Sequence, residues 1–140
     1  MFMNELAKIF QILDSGSKED KIGVLESLSQ SNNPEIIRKI ILMLNDTEIR
    51  VRGEAFSSLF LNKNDISEFL INTLSLENKN VKAFSALVLA NRGDTNAIPA
   101  LELLSKDPSS MVKECALGAL EYLRTNKASS EIHNGGPEGI

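Results

Sequence analysis

The chain has 140 residues, 42% of them apolar and 5% aromatic, with no Trp. That suffices for one domain whose core is built from Leu, Ile, Val and Ala without metal or disulfide staples. The net charge of −4 argues against a phosphate-binding surface, and so against a nucleic-acid partner.

Amphipathic spacing predicts a first helix over Phe2–Leu13, with Leu6, Ile9, Phe10 and Leu13 on one side. Ser17 with Asp20 makes a capping start for a second helix, to about Gln30. Asn33-Pro34-Glu35 combines an Asn cap, Pro at the first helical position and an acid in the first turn, which starts a third helix to Leu44. Asp46-Thr47 starts the fourth, to Leu61, and Asp65 with Glu68 the fifth, to Leu76. The sixth runs from Lys79 to Asn91 and closes at Gly93, the residue type that tolerates a left-handed helix end. Thr95–Ser105 is the seventh, and Asp107-Pro108 starts the eighth, to about Thr125. Short links make successive helices antiparallel neighbours, giving hairpins over 1–30, 33–62, 64–93 and 95–126. From Lys127 the composition turns small, polar and Gly/Pro-bearing, so 127–140 is expected to be a flexible tail.

The chain also repeats itself. Val51-Arg52, Val81-Lys82 and Val112-Lys113 lie 30 and 31 residues apart, each after a turn that follows an apolar run ending at Leu44, Leu74 or Leu104. Such a period is the mark of stacked helical hairpins. Overlaying the repeats aligns Ala55, Ser85 and Ala116, then Phe56, Ala86 and Leu117, then Leu59, Leu89 and Leu120. These columns predict one apolar stripe packed on the partner helix. The first repeat joins less cleanly, through Lys21, Val24, Leu25 and Leu28.

On these residues the chain resembles HEAT repeats, in the short form named after phycobilisome lyases. Leu44-Asn45-Asp46 to Val51-Arg52 with Ala55 and Leu59 carries the resemblance, as does Ala97-Ile98-Pro99-Ala100-Leu101 through Asp107-Pro108 to Val112-Lys113. The third repeat departs from the pattern, with Glu77-Asn78 in its turn and Ser85 in place of Ala. The resemblance implies an all-α fold, an α-solenoid of four hairpins and eight helices in a right-handed superhelix over residues 1–126. It also implies that the second helix of each hairpin lines a concave side.

Candidate functional residues follow from that placement. The concave columns are Gly23, Glu54, Phe84 and Cys115; Glu26, Ser57, Leu87 and Gly118; and Gln30, Leu61, Asn91 and Tyr122. From these, Glu54, Leu61, Phe84, Leu87, Asn91 and Tyr122 are the expected partner-binding set. Phe84, Leu87 and Tyr122 would form an apolar groove for a partner's helix or peptide, unless the sixth helix is simply buried. The cations Arg52, Lys82 and Lys113 are expected to pair with turn acids such as Asp46 and Asp107 and so stitch neighbouring hairpins. A basic ladder for an acidic partner is the alternative.

No catalytic set, metal site or cofactor site is expected. His133 is the only histidine and falls in the tail, and a lone Cys115 offers no zinc constellation. Cys115 reads as a small buried hydrophobe in a reducing, cytoplasmic setting, and Arg92-Gly93-Asp94 reads as a turn. No apolar run reaches the roughly 18 residues of a membrane span. The leading expectation is a non-catalytic scaffold or adaptor that binds another protein on its concave face. The alternatives are an accessory subunit of a modifying enzyme, of the lyase or cofactor-maturation type, and, behind it, a nucleic-acid-binding HEAT protein. The monomer is favoured, with self-association through apolar end residues (Met1, Phe2, Met3, Leu123) as the competing state.

Overall fold

A computed structural model describes residues 4–134, with side chains from 4 to 126. The described chain is all-helical, without a strand. Its α-helices are α1 (Glu5–Ser15), α2 (Lys18–Ser27), α3 (Pro34–Leu42), α4 (Ile49–Leu61), α5 (Ser67–Thr73), α6 (Lys79–Arg92), α7 (Ile98–Leu104) and α8 (Ser110–Asn134). Short 3₁₀ turns at Met43–Asn45 and Thr95–Ala97 take up the end of the third predicted helix and the start of the seventh.

Local chemistry explains most of the boundaries. The Ser17 hydroxyl accepts the Asp20 N–H at 3.1 Å, and the Asn33 side chain accepts from Glu35 at 2.9 Å and Ile36 at 3.4 Å. Asn78 caps α6 by accepting from Val81 at 3.0 Å. Gly93 ends that helix with φ +75°, a conformation in which a Cβ is strained. Asp46 and Asp65 do not cap as predicted. Asp46 accepts the Glu48 N–H at 3.0 Å and Asp65 accepts the Ser67 hydroxyl at 3.2 Å, so α4 and α5 begin after these turns. α8 continues to Asn134, beyond the boundary at 126 expected from composition. Residues 127–134 contain neither Gly nor Pro, and the Gly135-Gly136-Pro137 breaker comes only afterwards. The rest of the expected tail, 135–140, lies outside the described residues, as do Met1, Phe2 and Met3.

Each odd-numbered helix packs on the even-numbered helix that follows it, and α2, α4, α6 and α8 pack against one another in chain order. α3 and α5 also meet. Three of the four aligned columns form the core: Val51, Val81 and Val112; Ala55, Ser85 and Ala116; Leu59, Leu89 and Leu120. The fourth divides. Ala86 is buried, Phe56 is half-buried and Leu117 is exposed. Ser58, Val88 and Ala119 form a further buried column, in which the Ser58 hydroxyl donates to the Leu25 carbonyl at 2.8 Å across α2 and α4. Lys21 does not belong with the valines. It registers with Arg52, Lys82 and Lys113 at spacings of 31, 30 and 31.

Ser85, the departure from the resembled pattern, is fully buried but satisfied. Its hydroxyl lies 2.9 Å from that of Thr73, and Thr73 also lies 2.6 Å from the Leu70 carbonyl. Replacing Ser85 by Ala leaves Thr73 its carbonyl partner. Ser85→Ala is therefore expected to change unfolding free energy by less than about 1 kcal/mol. Leu89→Ala in the same helix opens a cavity and is expected to cost about 2–5 kcal/mol in urea melts.

Candidate functional site: an apolar groove between α4 and α6

The stack of even-numbered helices is tightest at α6, where Val81, Ala83, Ser85, Ala86, Val88, Leu89 and Ala90 are all buried. Phe84 and Leu87 are not; they remain half-exposed beside α4. Together with Ile49, Gly53 and Phe56 of α4 they line a groove of about 390 Å³, with Leu44 and Arg52 at its edge. Ile49 is 70% exposed, an unusual state for a large aliphatic side chain. Both alternatives for the sixth helix thus hold in part: most of it is core, and two of its side chains form a groove wall.

The expected partner-binding set is only partly brought together. Phe84 and Leu87 share the groove, while Tyr122 lies apart, with Gly118 and Thr125 at a shallow depression on α8. Leu61 is exposed at the far end of α4, and exposed Asn91 donates its side-chain N–H to the Leu87 carbonyl at 2.8 Å. Glu54 is half-buried. Burial pushes its carboxyl above the ordinary value, and the nearby Glu26 carboxylate adds to the shift. Ile49 and Phe56 are groove residues that the columns did not select. Their signal was present, since Ile49, Gly53, Phe56 and Phe60 recur at helical spacing on the side of α4 opposite Val51, Ala55 and Ser58. Cys115 is half-buried, not enclosed, and burial raises its thiol pKa, with Glu114 contributing.

A second apolar depression lies between α3 and α5, lined by Leu42, Phe69 and Leu76. There the Arg38 guanidinium sits 5.4 Å from the Phe69 ring centroid and covers it. The α4–α6 groove has no such cover from the described side chains that line it.

Ion pairs hold the helices that make the groove. Lys82 reaches Asp107 at 2.6 Å and Lys21 reaches Asp46 at 2.9 Å, both pairs largely shielded from solvent. Each lysine therefore binds the turn acid 25 residues further on, in the next hairpin. Arg52 departs from its expected pairing: Lys21 holds the Asp46 carboxylate, and Arg52 donates to the Asp46 backbone carbonyl at 3.2 Å. Lys113 is exposed and makes no ion pair among the described residues. A second polar ladder, not anticipated, ties the other ends of the even helices. Asn62 donates to the Ser31 carbonyl at 2.8 Å. The Arg92 guanidinium donates to the carbonyls of Leu59, Asn62 and Asn64 at 3.0, 2.5 and 3.1 Å and to the Asp94 carboxylate at 2.8 Å. Arg92-Gly93-Asp94 is thus a helix end whose cation links two hairpins.

Among the described residues, no group of three His, Cys, Asp or Glu side chains is placed to hold a metal, and no helix is long and apolar enough to cross a membrane. The chain matches no family model, and no curated protein is detectably similar to it in sequence.

Asp107 gives the ion-pair ladder a pH signature. The Lys82 ammonium and the Ser109 backbone N–H hold its carboxyl below the ordinary 3.8. A depressed pKa contributes stability in full above the ordinary value, and that contribution is lost as pH falls through the folded-state value. Acid unfolding of Asp107→Asn should therefore show a shallower loss of stability below about pH 3.8 than the parent chain. Parallel slopes would remove Asp107 from the account.

Proposed function

We propose that this chain is a HEAT-like stack of four hairpins, and that it acts as a non-catalytic adaptor holding a helix or peptide of a partner protein in the α4–α6 groove. The succession of even-numbered helices, each covered by its own odd-numbered partner, is the contact pattern that layered hairpins produce. The links Lys21–Asp46 and Lys82–Asp107, each across 25 residues, join the first hairpin to the second and the third to the fourth, which fits a layered arrangement. In such a superhelix the even helices form the concave wall, and the groove lies on that wall.

One observation carries the functional reading: Ile49, Phe56, Phe84 and Leu87 gather large apolar side chains at an open groove on otherwise well-packed helices. Leaving such side chains wet is unfavourable by about 25 cal/mol per Å² of apolar surface, and covering them with the apolar face of a helix recovers that term. The groove is too open and too poor in polar groups to orient a small substrate, which favours a macromolecular partner over a metabolite.

The reading is tested by Leu87→Asp, compared with the parent chain by circular dichroism and by crosslinking–mass spectrometry in the native cell. Helical content and melting behaviour are expected to persist, while groove crosslinks at α4 and α6 are lost, as for a truncated anchor worth about 2 kcal/mol or more. Unfolding of Leu87→Asp would make the position core. Retained groove crosslinks would remove the groove as the binding site.

A further inference from the structure

The groove between α4 and α6 contains a glycine that the fold does not need. Gly53 lies inside α4, on the side that carries Ile49 and Phe56. Glycine in a helix interior is destabilising relative to Ala, so its presence calls for a reason. Packing within the chain supplies none: no atom of the described chain lies within 4 Å of a Cβ built there, and the backbone needs no positive φ. The repeat supplies none either, since Ala83 stands 30 residues on, at the same position of α6. What the missing Cβ does is open a notch in the row of Ile49, Phe56 and Phe60, where another backbone can come close to α4. A second groove residue is also left without a full partner. Arg52 stands at the edge, half-buried, and makes no ion pair among the described residues. Lys21 holds the Asp46 carboxylate, so the guanidinium is left with the Asp46 backbone carbonyl at 3.2 Å.

Resting on the docking function above, we propose that the occupant is an amphipathic α-helix of a partner protein, seated with its backbone close to Gly53 and with a carboxylate at the end that lies over Arg52. An extended peptide is the poorer occupant. Its backbone N–H and C=O groups would lose water against Leu44, Ile49, Phe56, Phe84 and Leu87 without gaining partners. A helix satisfies those groups internally and presents a side chain at every turn, as the α4 row does. The acid supplies the charge opposite to Arg52 and fixes which way round the helix lies.

The test uses a displayed library of random peptides of about 18 residues, five turns as a helix, selected on the full chain and counter-selected on Leu87→Asp. Recovered peptides are expected to space their apolar residues at i, i+3, i+4 and i+7, with Asp or Glu near one end. They should lose binding at least about tenfold when a central residue becomes Pro. Gly53→Ala should raise the melting temperature of the chain and yet weaken the same peptides by about fivefold or more, opposite signs that damage to the fold could not produce. Arg52→Glu should weaken them as well, and exchanging the peptide's acid for Lys should restore binding to that variant. Failure to recover any peptide that distinguishes the chain from Leu87→Asp overturns the docking function itself. With such peptides in hand, alternating apolar residues, indifference to Gly53→Ala or binding independent of Arg52 overturns the helix proposal alone. Leu123, the end residue expected to promote self-association, is buried at 1%. Self-association in sedimentation that Leu87→Asp abolishes would therefore seat a second copy in the groove, and would overturn the helix proposal too.

Discussion

The distance of closest approach between α6 and its two neighbours governs the rest of the structure. Ala83, Ser85, Ala86 and Ala90 keep the surface of α6 shallow, so α4 can approach on one side and α8 on the other. That approach shuts Val81, Val88 and Leu89 away from water and supplies the centre of the core. Leu89 fills the core from one side of the helix, while Phe84 and Leu87 stand at its edge, where the close contacts with α4 and α8 leave them half-exposed. The groove is thus a by-product of the core: the small residues that let the helices close together also determine where the large ones stay open.

Polar contacts at both ends of the even-numbered helices fix the register in which the apolar surfaces meet. At one end Lys21 and Lys82 each hold an acid in the following hairpin, and at the other Asn62 and Arg92 donate to carbonyls of the preceding one. Shielded ion pairs of this kind add little net stability relative to well-packed apolar substitutes. Removing one partner is costly, however, because it leaves a charge with poor access to water. A slipped register would do that at several places at once. The ladders therefore act chiefly against wrong alignments, while apolar burial drives folding.

The helix starts and the repeat were legible in the sequence because they depend on local chemistry. Ser17, Asn33 and Gly93 act within a few residues of themselves, and each behaves as its type predicts. The valine columns were legible for the same reason, since a 30–31-residue spacing fixes which face meets the neighbour. What was not legible depends on the next hairpin. Asp46 reads as a cap in sequence but is claimed by Lys21 from another helix. Leu117 reads as core by analogy with Leu25 and Ala86, yet it is exposed because no hairpin follows it among the described residues. Phe56 reads as core in sequence because it shares a column with Ala86 and Leu117. In fact its size exceeds the space that Ala86 occupies, and its ring is left at the groove.

Hydrogen exchange of the native chain tests the central role of α6 most directly. If α6 is clamped on both flanks, its amides from Val81 to Ala90 should exchange only through global unfolding, with protection falling toward α1. Exchange of α6 as fast as that of α1 would mean that the helix opens locally, and the packing argument from its small residues would fail.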